Sequence, residues 1–212
     1  MDTNKQIIVF DLDGTLINSA PDLCYALNKT LSDINIPEIT LQEVMGYLGD
    51  GALELIKKGI TKHSNIEEFD TELLRLRFLE IYDTCLLDKT NFYPNVINTL
   101  KDLKTMNFTL AICTNKPEIL AKRIIKGLNA LNLFEVITGG DTYKYRKPDP
   151  RHLINTILAS GKEIENAIKT EEEIVINKKE HLQTIHEKEM EEAENYVKCE
   201  DEEVERQVES YY

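Results

Sequence analysis

The sequence predicts an α/β protein: a parallel sheet crossed by helices, a helical insertion after the first strand, and an acidic, mainly helical C-terminal segment. Three observations predict it. Apolar runs at 7–10 (IIVF), 109–113 (TLAIC) and 134–138 (FEVIT) alternate with helix-period patterns, as in a parallel sheet. Residues 20–88 break this rhythm and contain no convincing strand. After Ile168 the composition shifts to Glu and Lys, without Pro or Gly.

The first strand, Ile7 to Phe10, has no alternating polar residue and reads as buried on both faces. It runs into Asp11-Leu12-Asp13-Gly14-Thr15. The insertion reads as amphipathic helices at 21–33, 40–47, 50–59 and 66–87, with Asp50 placed to cap the third and Gly49 and Gly51 making a flexible corner. It leaves and rejoins the sheet at the carboxyl edge, which suits a cap over a site. The 95–106 helix carries Val96, Leu100 and Leu103 on one face; 117–130 carries Leu120, Ile124 and Leu128; 150–160 opens on Pro150.

The 212 residues suit one domain with an insertion, or two small ones, and 42% hydrophobic content supports a sizeable core. The net charge of −13 argues against a nucleic-acid partner. Residues 169–212 hold fifteen acidic and six basic residues, a net of −9, which leaves −4 for residues 1–168. Cys24, Cys85, Cys113 and Cys199 are scattered, suggesting neither zinc nor a disulfide framework but reduced thiols in a cytoplasmic protein. The first apolar run is too short for a signal peptide or membrane span.

In a parallel α/β sheet, ligands bind outside the carboxyl ends of the strands. Those ends gather Asp11, Asp13, Gly14 and Thr15; then Thr114, Asn115 and Lys116; then Lys147 before Pro148. Two acids, a hydroxyl and a lysine at one edge suit phosphoryl transfer, which needs an in-line nucleophile and neutralised phosphoryl oxygens. A carboxylate can attack phosphorus, and a second one can shuttle the proton. Thr114 can donate a hydrogen bond and Lys147 a charge, and magnesium suits carboxylate and phosphate oxygens. Taken singly, each stretch has a plainer reading: an Asx turn at 11–15, a helix cap at Thr114-Asn115, a solvated loop lysine at 147.

The stretches VFDLDGTLINSAPDL, LGDGALELI, FYPNVINTLKDLK, AICTNKP, ITGGDTYKYRKPDPRHL and GKEIENAI resemble the haloacid dehalogenase (HAD) superfamily, and within it the bacterial phosphoglycolate phosphatases, over about residues 5–168. The resemblance implies a Rossmann-like three-layer core at 1–15 and 91–168, a helical cap at 16–90, and a tail at 169–212 outside the family pattern. It also implies that Asp11 is the nucleophile and Asp13 the general acid/base. Gly14, Thr15, Thr114 and Asn115 would bind phosphate, and Lys147 would neutralise charge. Magnesium would sit on Asp11 and the Asp13 carbonyl, and the reaction would be hydrolysis of 2-phosphoglycolate, a small phosphorylated metabolite.

The pattern breaks after ENAI. The family continues with a fourth strand ending in Gly-Asp, which completes the metal site; here no Gly-Asp follows Asp141. The first strand would then be an open edge, to be covered by EIVIN (173–177) or by a tail helix laying Leu182, Ile185 and Val197 across it. Glu172 falls by counting where the missing ligand would sit. The sequence therefore also admits a non-catalytic scaffold with an interacting acidic tail, or a truncated or recombined product. The tail stripe is interrupted by Glu189 and Glu200, so it sets no oligomeric state.

Overall fold

The structure, a computed structural model, describes residues 6–164. The expectations for 169–212, including the tail helix, the EIVIN strand and Glu172, lie outside the described residues.

Three parallel strands, β1 (Ile7–Phe10), β4 (Thr109–Cys113) and β5 (Val136–Thr138), form a sheet in the order β1-β4-β5. Val9 pairs with Ala111, and Ala111 with Val136, so these three share one level and one face. Leu153 and Ile157 of α7 (Pro150–Ala159) pack on that face with Ile7, Val9, Ala111 and Val136. By alternation Leu110, Ile112 and Ile137 face the other way. The central strand β4 is buried from Leu110 to Cys113.

β1 departs from the sequence expectation: only Ile7 is buried, and Ile8, Val9 and Phe10 are half-buried. The reason is position, since β1 pairs on one side alone among the described residues. β5 begins two residues later than its apolar run, because Leu131–Leu133 form a 3-10 turn and Phe134 is its cap.

The chain leaves the sheet through β2 (Ile17–Asn18) and returns through β3 (Asn91–Phe92), which pair antiparallel. Between them lie α1 (Ala20–Ser32), α2 (Leu41–Met45), α3 (Ala52–Thr61) and α4 (Thr71–Cys85). The neck is fastened by Asp22, only 2% exposed, whose carboxylate accepts from the Lys89 and Thr90 N–H groups and the Thr90 hydroxyl at 2.7–3.0 Å. α2 starts on a capping box between Thr40 and Glu43. The expected 66–87 helix is divided: Ile66–Glu68 is a 3-10 turn, and the Asp70 carboxylate caps α4. Asp50 does not cap α3; Gly51 occupies that position, and Asp50 pairs with Lys58 at 2.8 Å. The return strand leads to α5 (Val96–Thr105), and α6 (Glu118–Gly127) joins β4 to β5.

No described helix is long and apolar enough to cross a membrane.

Candidate active site

The site is built around the ends of the three strands. Asp11 follows β1, Thr114 follows β4, and the Gly139–Gly140 turn follows β5. Strands in a parallel sheet all point the same way, so these ends meet at one edge. Asp11, Asp13, Thr114, Asn115 and Lys116 line one cleft, whose far wall is Tyr47, Leu48, Leu55, Phe78 and Tyr82 from the inserted helices and their loops.

Lys147 comes from the loop before α7, and its Nζ lies 2.7 Å from Asp11 Oδ1. Asp13 is held twice: Ser19 donates its hydroxyl to Oδ1, and Lys116 Nζ lies 2.9 Å from Oδ2. This explains why Ser19, at the N-cap of α1, makes no capping bond: its hydroxyl is spent on Asp13. The Thr114 side chain is buried and accepts from the Lys116 N–H at 3.2 Å, while its own N–H donates to the Thr138 carbonyl. Gly14 and Thr15 are exposed, and their N–H groups close a turn onto Ile17 and Leu12. Asn115 donates both amide protons to backbone carbonyls, to Gly49 at 2.8 Å and Lys147 at 3.2 Å. Its donors are thus spent on the protein and its Oδ1 is buried, so the side chain as placed has nothing to give an incoming phosphate.

Lys116 is the residue whose part the sequence does not reveal. It is 6% exposed and stacks over the Tyr82 ring at 4.7 Å. Burial pulls its pKa down, but the charge of Asp13 outweighs burial and raises it, so the ammonium stays charged. Burial drives the Tyr82 phenol up to about 12. A lysine between a strand end and Pro117 is the only local signal; its partners Asp13 and Tyr82 are distant in sequence.

The close packing of this edge rests on two glycines. A methyl group on Gly139 would sit 2.2 Å from the Glu118 nitrogen, and one on Gly140 2.6 Å from the Asn115 carbonyl oxygen. Only a residue without Cβ lets the turn after β5 reach the loop after β4. Asp141 then caps α6 from outside, accepting the Glu118 N–H at 2.8 Å.

For a divalent ion the described residues provide hard oxygen donors but few of them. Asp11 keeps Oδ2 clear of its lysine, and the turn bonds use the carbonyls of Leu12 and Ile17 rather than that of Asp13. Among the described residues no group of three or more His, Cys, Asp or Glu could hold a metal. The chemistry suits magnesium, which completes its shell with water and phosphate oxygens. Asp11 Oδ2 and the Asp13 carbonyl are the oxygens at this edge that could hold such an ion.

A sequence profile of the family described as Haloacid dehalogenase-like hydrolase matches residues 8–175. The chain belongs to this family. Phosphoglycolate phosphatases from Agrobacterium fabrum and Colwellia psychrerythraea are 36% and 40% identical over 163 and 153 residues. These alignments cover 76% and 70% of this chain, and 70% and 68% of the relatives. The crystal structure of a predicted phosphoglycolate phosphatase from Haemophilus somnus 129pt shares 32% identity with a TM-score of 0.68, covering 76% of this chain and 74% of that one. In this HAD-like hydrolase the span matched by the family, 8–175, contains every cleft residue named above and most of the described body. The acidic segment beyond it, 176–212, lies outside the match.

Proposed function

We propose that this hydrolase is a magnesium-dependent, cytoplasmic phosphatase that cleaves a small phosphate monoester, 2-phosphoglycolate, to glycolate and phosphate. The observation that carries the reading is the Lys147–Asp11 pair at 2.7 Å at the end of β1, beside an Asp13 fixed by Lys116 and Ser19.

Asp11 attacks phosphorus with a carboxylate oxygen; the P–O bond to glycolate breaks, and Asp13, which takes up a proton as the anionic substrate binds, gives it to the departing oxygen. Asp13, now a carboxylate, takes a proton from water. That water attacks phosphorus, phosphate leaves, and the Asp11 carboxylate is restored. Both oxygens of Asp13 are engaged, so one contact must be exchanged before it reaches the leaving group. Lys147 spreads its charge over Asp11 and the phosphoryl oxygens, and buried Thr114 steadies them by a hydrogen bond. Asp11 and the Asp13 carbonyl would hold the magnesium, which when bound offsets phosphoryl charge.

A second reading is a HAD-like scaffold without turnover, motivated by the sequence, in which no Gly-Asp follows Asp141. A magnesium titration of 2-phosphoglycolate hydrolysis by the parent and Asp11→Asn tests both. Magnesium-dependent turnover lost in Asp11→Asn supports the phosphatase; equal rates in the two proteins support the scaffold.

A further inference from the structure

The Asn115 amide joins two segments that the proposed chemistry treats separately. One is the Gly49–Gly51 loop ahead of α3, part of the cleft wall. The other is the loop bearing Lys147, which reaches Asp11. Asn115 Nδ2 donates to the Gly49 carbonyl at 2.8 Å and to the Lys147 carbonyl at 3.2 Å. Its orientation is fixed by chemistry, because a flipped amide would set Oδ1 against two carbonyl oxygens. Oδ1 is buried without a hydrogen-bond partner, so the side chain gains nothing on that side to compensate a lost carbonyl. The Asn115 backbone is pinned as well, against Gly140 and beside Gly51.

We infer that Asn115 is a positioning residue that couples docking of the 49–51 loop to placement of Lys147. One rigid amide satisfies both carbonyls, so loss of the Gly49 bond frees it to turn and loosens the Lys147 backbone. The reverse holds equally, because coupling between two contacts is reciprocal. The inference rests on the reading of this cleft as the phosphatase site.

The test strains one end and reads the other. Gly49 has φ +101°, and a Cβ placed on it would meet nothing within 4 Å, so Gly49→Ala strains the loop backbone without a clash. The reporter is the Asp149 amide, bonded to the Arg146 carbonyl at 2.9 Å across the Lys147 loop, followed by NMR hydrogen exchange. Gly49→Ala should speed its exchange about fivefold or more, the low end of site-to-site coupling. In an Asn115→Ala background, Gly49→Ala should add nothing to it. Asn115→Ala should lower kcat for 2-phosphoglycolate with little change in KM. Asn115→Asp, which sets an oxygen against both carbonyls, should lower it further. Equal Gly49→Ala effects in the two backgrounds would overturn the inference, as would an unchanged Asp149 amide. The exchange arm needs no turnover, so failure of the substrate reading remains distinguishable from failure of the coupling.

Discussion

Replacing Lys116 by Met removes the cation paired with Asp13 and leaves its carboxylate, 12% exposed, with the Ser19 hydroxyl. Breaking a buried pair by deleting one partner costs about 3–5 kcal/mol, because the remaining charge keeps its desolvation penalty. Asp13 retains one hydrogen bond and some water, so the low end applies, about 3 kcal/mol. Methionine fills most of the volume over Tyr82, so a cavity adds little. For a chain of this length that is a fall in Tm of about 6–12 °C. Urea denaturation of parent, Lys116→Met, Asp13→Asn and the double variant measures it. Adding Asp13→Asn to Lys116→Met removes the stranded charge and should recover most of the loss. A Lys116→Met stability within about 0.5 kcal/mol of the parent, the range of an ordinary surface change, would show that Asp13 does not depend on Lys116. So would a double variant no more stable than the single.

Asp22→Ala strands the buried Thr90 N–H and hydroxyl at the neck of the insertion and should cost about 3 kcal/mol in the same denaturation assay; a loss under about 1 kcal/mol would contradict the neck's role. His152 is fully buried, and burial, then the charge of Lys147, lower its pKa against a small opposing effect of the Gly139 backbone. The neutral ring is therefore favoured in the fold: stability is full above the unfolded value of about 6.5 and falls as pH drops through it toward the folded value. Urea midpoints from pH 8 to pH 5 should decline less steeply for His152→Leu than for the parent, and parallel curves would contradict the assignment.

The elements most legible in the sequence are those whose burial is uniform or strictly periodic. β4 is buried on both faces, so its apolar run marks its true bounds, and α7 begins at Pro150 where the Pro signal places it. β1 has the same composition but lies at the sheet's described edge, and composition cannot distinguish a central strand from an edge one. β2 and β3 have two residues each, too few to show any period. Asp50 sits where a cap belongs, yet Gly51 takes the turn at φ +90° and Asp50 finds Lys58 instead. At the site, Asp11, Thr114 and Lys147 are legible because each follows its own strand. The partners that hold Asp13 are less so: Ser19 reads as a helix cap, and Lys116 finds its purpose only when α4 brings Tyr82 over it.

If Asp11 is the nucleophile of a phosphatase, it carries a phosphoryl group during turnover. This is tested most directly by quenching the enzyme in acid during magnesium-dependent turnover of 2-phosphoglycolate, reducing any acyl phosphate with borohydride, and locating the modified residue by peptide mass spectrometry. Modification should fall at Asp11 and be absent without substrate; in Asp11→Asn both modification and turnover should be absent. Turnover that persists in Asp11→Asn, or modification at another carboxylate, would contradict that role.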